Sequence, residues 1–164
     1  MRSFMIYIGV LLVAIMPSAV AASEALTIFV VRHAERADSS RDAVLSDVGK
    51  ERAKRLARII GDAEIDYVHS TDFKRTKSTA GPTASAAGVE VSLYSPRDLH
   101  ALNVKLLKSG GRHLVVGHAE TMLKTIELLG GDGGFPLDKK SEFDRLYIVT
   151  VSKGSAVSTV MLRY

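Results

Sequence analysis

Apolar and polar residues along this chain recur with two different spacings, and the switches between them mark out its elements. Leu26–Arg32 is an apolar run that ends in charge, the pattern of a buried strand. After a polar stretch from Glu35 to Ala43, a helix is predicted over Asp47–Ile60, with Ser46 as its N-cap and Gly61 just past its end. Its apolar arc is read as Val48, Leu56, Ile59 and Ile60, with Lys50, Lys54 and Arg58 along a solvated face. A short strand, Asp66–His69, leads into a helix over Phe73–Ala87, where Pro82 predicts a kink or a fresh turn. A strand over Val89–Leu93 and a helix over Asp98–Lys108 follow. His113–Val116 then reads as a strand buried on both faces, and Glu120–Leu129 as a helix closed by Gly130-Gly131. Two β-rich runs, Arg145–Val151 and Ala156–Leu162, finish the chain as a hairpin through Ser152-Lys153-Gly154-Ser155. Strands alternating with helices predict an α/β fold: a three-layer sandwich with a mostly parallel central sheet, an antiparallel edge, and helices on both faces.

One segment stands apart from this alternation. Arg2 precedes the uninterrupted apolar run Phe4 to Met16, Pro17-Ser18 breaks it, and Ala19-Val20-Ala21 fits the small-x-small rule for signal cleavage. The reading is a signal peptide over residues 1–22, cleaved after Ala21 or Ala22, and a single domain over residues 23–164. It places the protein in the periplasm or outside the cell, with no stable membrane span after cleavage. Counted through Ala22, the segment approaches the ~20 residues of a membrane helix, so an uncleaved N-terminal anchor is the alternative. Composition narrows the chemistry further. The formal charge of +4 suits small anionic substrates and is too slight to imply nucleic acid. There is no cysteine, which rules out disulfides and thiolate catalysis, and no tryptophan, which disfavours a base- or sugar-stacking surface. The glycine-rich stretch Gly130–Gly134 lacks the Lys-Ser/Thr of a phosphate loop and reads as a turn.

Three predicted strand ends carry reactive residues. The first ends in Arg32-His33. The second runs through Ser70-Thr71-Asp72 into a helix whose first turn holds Arg75. The buried third ends in Gly117-His118 at another helix start. Ligands of open α/β sheets sit at the carboxyl ends of parallel strands. Two arginines, two histidines and two helix N-termini gathered there would make a site for a tetrahedral dianion.

With these residues in place, the chain resembles the histidine phosphatase superfamily of phosphoglycerate-mutase-like fold. The motifs that carry the likeness are VRHAER (Val31–Arg36), LSDVGKERA (Leu45–Ala53), STDFKRTKSTA (Ser70–Ala80), VVGHAET (Val115–Thr121) and EFDRLYIV (Glu142–Val149). The resemblance implies that His33 is a nucleophile forming a phosphohistidine, with Arg32, Arg75 and His118 holding the phosphoryl oxygens; Arg36 is either a further substrate contact or part of a loop salt bridge. It implies that no metal and no cofactor are required. The proton donor to the leaving group is left open: Glu120, Asp98 or no dedicated acid, since Ala119 stands where acid phosphatases of the superfamily carry Asp. Arg52 replaces the family's usual Gln and is expected to pair or to snorkel, and Glu35 either orients the loop or forms a salt bridge within it. His69, His100 and His113 read as structural or exposed. The function implied is an exported metal-independent phosphatase acting on small phosphorylated substrates, phosphate monoesters or phosphohistidine- and aryl-type phosphates. The alternatives are a non-catalytic anion-binding module on the same scaffold, or a mutase. Oligomeric state stays open.

Overall fold

The computed structural model describes residues 25–164; the predicted leader lies outside them. A six-stranded sheet runs in the order β3-β2-β4-β1-β5-β6. β1 (Leu26–Arg32), β2 (Tyr67–Thr71), β3 (Val91–Tyr94) and β4 (Arg112–Gly117) are mutually parallel. β5 (Arg145–Val151) and β6 (Ser158–Arg163) add the antiparallel edge.

Side chains alternate across the sheet, so each central strand feeds two cores. Ile28, Val30, Val115, Tyr147 and Val149 pack under α3 (Leu99–Ser109) and α4 (Ala119–Leu128) through Leu102, Leu106, Met122 and Ile126. Phe29, Val31, Leu114, Val116 and Leu146 pack on the opposite face under α1 (Asp47–Ile59) and α2 (Lys74–Ala87) through Leu56, Ile60, Ala80 and Ala84. Each such buried aliphatic side chain contributes ~1.5–3 kcal/mol, and this holds the three layers together.

One expectation for the helices is corrected. The buried stripe of α1 is Gly49, Ala53 and Leu56, continued by Ile60, whereas Val48 and Ile59 are 63 % and 50 % exposed. The reason lies in what α1 packs against. A Cβ on Gly49 would sit 2.3 Å from the Glu35 carbonyl oxygen, so the helix turns its smallest residues toward the loop after β1. Within α2, Pro82 sits in a helix that continues without a break to Ala87, where Gly88 in the left-handed region ends it. Ser46 does cap α1, accepting from the Gly49 N–H at 3.1 Å, and Asp98 caps α3, accepting from the Ala101 N–H at 3.0 Å.

Candidate active site

Strand register brings the predicted residues to one sheet edge. Arg32 of β1 lies beside Gly117 of β4, and the His33 N–H donates to the Gly117 carbonyl at 2.9 Å. The step from each strand into the next segment therefore sets His33 against His118, with ring centroids 5.5 Å apart. Arg75 enters from the first turn of α2. A pocket of about 390 Å³ opens there, lined by Arg32, His33, Arg75, His118, Arg36 and Glu120, with Lys139, Phe73, Pro96 and Ala119 completing the wall. A hollow of about 350 Å³ between α1 and α2, near Ile60 and Thr83, lies away from these groups and gathers no comparable set.

His33 is buried, and its Nδ1–H donates to the Ala34 carbonyl at 2.8 Å. A carbonyl can only accept, so the neutral ring keeps its lone pair on Nε2. Burial, reinforced by the charges of Arg32 and Arg75, pushes the imidazole down to about 3, and the ring is unprotonated at neutral pH. The loop that follows is pinned at two points. The Ala34 N–H donates to Thr79 Oγ1 on α2 at 3.0 Å, and the Glu35 carbonyl accepts from the Ser46 N–H at 2.9 Å.

Each arginine of the pair is held by main-chain carbonyls. Arg32 donates to Glu142 O at 2.9 Å and Lys139 O at 2.8 Å, with its guanidinium 4.0 Å from the Phe143 ring centroid. Arg75 donates to Arg41 O at 2.8 Å and lies 4.4 Å from the Phe73 ring centroid. Carbonyls fix position without cancelling charge, and a buried Nε–H on each arginine has no protein partner. An anion is the ligand that such charged donors suit. Burial and the nearby charge of Arg36 lower both guanidinium pKa values, a sign that positive charge is crowded here.

His118 sits at the N-cap of α4. An arginine NH2 can only donate, so the 3.4 Å contact from Arg75 assigns the acceptor role to Nδ1, and Nε2–H donates to Thr71 Oγ1 at 3.1 Å. Burial and then Arg75 push its pKa down to about 4.

The two candidate acids are placed differently. Glu120 lines the pocket, but its carboxylate pairs with Lys139 and its pKa is pushed down, the direction opposite to that of a proton donor. Asp98 is occupied as the α3 cap and is not part of the pocket wall. Arg36 lines the pocket with its side chain exposed. Glu35 turns away from it and forms a salt bridge with Arg52 at 2.6 Å, and Arg52 also donates to Tyr164 O at 2.7 Å. Sequence reasoning missed Lys139, Phe73, Pro96 and Phe143, and the carbonyls of Arg41, Lys139 and Glu142. These come from loops without periodicity, and main-chain acceptors leave no mark on residue identity.

The fold is a three-layer α/β sandwich, and its clustered histidines and arginines line a cationic pocket at the carboxyl ends of the parallel strands. The family model of the histidine phosphatase superfamily (branch 1) matches residues 28–96, which include Arg32, His33 and Arg75. No curated protein matches the sequence. Among solved structures, the protein histidine phosphatase SixA complexed with tungstate is 15% identical, with a TM-score of 0.67 over 84% of this chain and 96% of its own. Mycobacterial glucosyl-3-phosphoglycerate phosphatase is 12% identical, with a TM-score of 0.65 over 87% of this chain and 98% of its own. Mycobacterial hydrolase 1 is 12% identical, with a TM-score of 0.68 over 85% of this chain and 99% of its own. At such identities the likeness is one of fold. The family model covers less than half of the chain, so the likeness to the histidine phosphatase superfamily rests on that segment and on a shared fold.

Proposed function

We propose that the protein is a phosphatase that works through a phosphohistidine on His33. The observation that carries this reading is the neutral, buried His33, whose Nε2 lone pair is left free beside two arginines held by carbonyls. In the proposed reaction Nε2 attacks phosphorus, the bond to the leaving group breaks, and water then cleaves the N–P bond to release phosphate. Arg32, Arg75 and His118 hold the non-bridging oxygens and stabilise the charge of the transition state. Because Glu120 is held ionised by Lys139, the pocket favours leaving groups that depart without a strong acid, such as aryl, acyl or histidine phosphates. The export reading of residues 1–22 belongs to the same proposal and rests on the leader pattern alone.

The test is acid-quenched trapping with a labelled aryl phosphate, on the protein and on His33→Ala, both in excess chelator. We expect an acid-labile phosphate on the wild type only, with steady release of the phenol. Absence of adduct and of turnover from about pH 5 to about pH 8, with phosphate still bound, would point to an anion-binding module instead.

A further inference from the structure

The charges lining the pocket do not balance. Arg32, Arg36, Arg75 and Lys139 face a single carboxylate, Glu120, and that carboxylate is matched by Lys139. Arg32 and Arg75 are fixed by carbonyls and suit the two charges of one phosphoryl dianion. Arg36 remains. Its main chain is anchored by a bridge to Leu45, and the next residue's N–H donates to Val44 O at 2.9 Å. Its guanidinium has no ion-pair or hydrogen-bond partner among the described residues. Asp38, close in sequence, accepts from the Ser40 N–H at 2.7 Å. Arg36 is near enough to depress both Arg32 and Arg75, and its charge also reaches Asp38 without a direct ion pair. Beyond its cations, its histidines and Glu120, the wall offers Phe73, Pro96 and Ala119.

We propose that Arg36 forms a subsite for a second anionic group, so that the preferred substrates carry another phosphate or a carboxylate close to the scissile phosphoryl group. This rests on reading the pocket as a phosphoryl site and extends it to the substrate class. The anion supplies the charge that three neighbouring guanidinium groups lack, and a planar fork at Arg36 can take it in two parallel hydrogen bonds.

The experiment compares calorimetric affinities of methylenediphosphonate and methylphosphonate, neither hydrolysable, at one pH and one ionic strength. It uses the full-length chain, Arg36→Gln and Arg36→Lys. In the wild type we expect the diphosphonate to bind about tenfold more tightly, the size of one charge-assisted contact. That ratio should collapse toward unity in Arg36→Gln and recover in part in Arg36→Lys. Equal affinities in the wild type overturn the subsite, as does a ratio that Arg36→Gln leaves unchanged. The latter would mean that Arg36 shares the first phosphoryl group or meets only solvent. Aryl phosphate turnover, measured on the same wild-type preparation, keeps the two readings separate. A preserved diphosphonate preference without turnover rejects catalysis and supports the subsite; turnover without the preference rejects the subsite alone.

Discussion

At the residue scale, the site depends on which atom of each histidine is left free. The Ala34 carbonyl assigns the His33 proton to Nδ1, and Arg75 together with Thr71 assigns the His118 proton to Nε2. His118 in its neutral form thus presents an acceptor toward the arginines, which is the wrong polarity for an oxyanion. A dianion in the pocket reverses the balance, because it stabilises imidazolium in a ring that burial otherwise holds down to about 4. Between the free and bound pKa values, binding takes up a proton, so affinity must rise as pH falls. Sulfate is the suitable ligand, since its own charge is constant there. Its affinity should increase several-fold from about pH 7 to about pH 5, and His118→Asn should flatten that dependence. A sulfate affinity independent of pH in the wild type would mean that His118 stays neutral when the anion binds.

At the element scale, three strands and the helices that follow them deliver Arg32, His33, Arg75 and His118. All of this was legible, because apolar runs ending in charge mark both a buried strand and its functional end. Loops contribute what was not. Arg145, at the start of β5, shows how much they contribute. It is buried and donates to Phe135 O at 2.7 Å, to Glu142 Oε2 at 2.7 Å and to Tyr147 Oη at 3.1 Å, which ties down the loop from 133 to 142. That loop presents the Lys139 and Glu142 carbonyls that hold Arg32. In the sequence Arg145 is one more arginine in a strand-like run, and nothing in the pattern says that it also holds a main-chain carbonyl ten residues away. Arg145→Gln should lower the urea midpoint, because it removes the donors that meet the Phe135 carbonyl and the Tyr147 hydroxyl. It should also lower kcat/KM for an aryl phosphate about tenfold by loosening Arg32. Unchanged kinetics in a destabilised variant would show that the loop holds Arg32 without Arg145. The α1 arc failed for a related reason. Its buried stripe is set by the Glu35 backbone pressing on Gly49, a contact that hydrophobicity does not encode.

At the scale of the whole molecule, one sheet separates two cores, and its carboxyl edge carries the pocket while its body carries a second pair of histidines. His69 of β2 and His113 of β4 are fully buried, hydrogen-bonded at 2.9 Å and stacked with centroids 5.2 Å apart. His113 Nε2–H donates to Gly110 O at 2.6 Å, which leaves its Nδ1 to accept from His69 Nε2–H, so both rings are neutral. Burial pushes His69 from 6.5 down to about 3 and lowers His113 as well, and His33 and His118 shift in the same direction. Each folded-state value lies below the unfolded one, so on acidification the unfolded chain binds protons first. Nothing is lost above 6.5; below it stability falls with pH until the folded-state value, about 3 for His69, is reached. Each such histidine contributes a slope of about 1.4 kcal/mol per pH unit within its window. Urea unfolding of the protein without ligand should therefore show a falling midpoint from about pH 7 to about pH 4.5. His69→Gln, which keeps a donor for His113 Nδ1, should lower stability at neutral pH yet reduce the acid slope by close to one proton. An unchanged slope in that variant would mean that His69 titrates alike in the folded and unfolded states, and that the acid sensitivity resides in the other buried histidines.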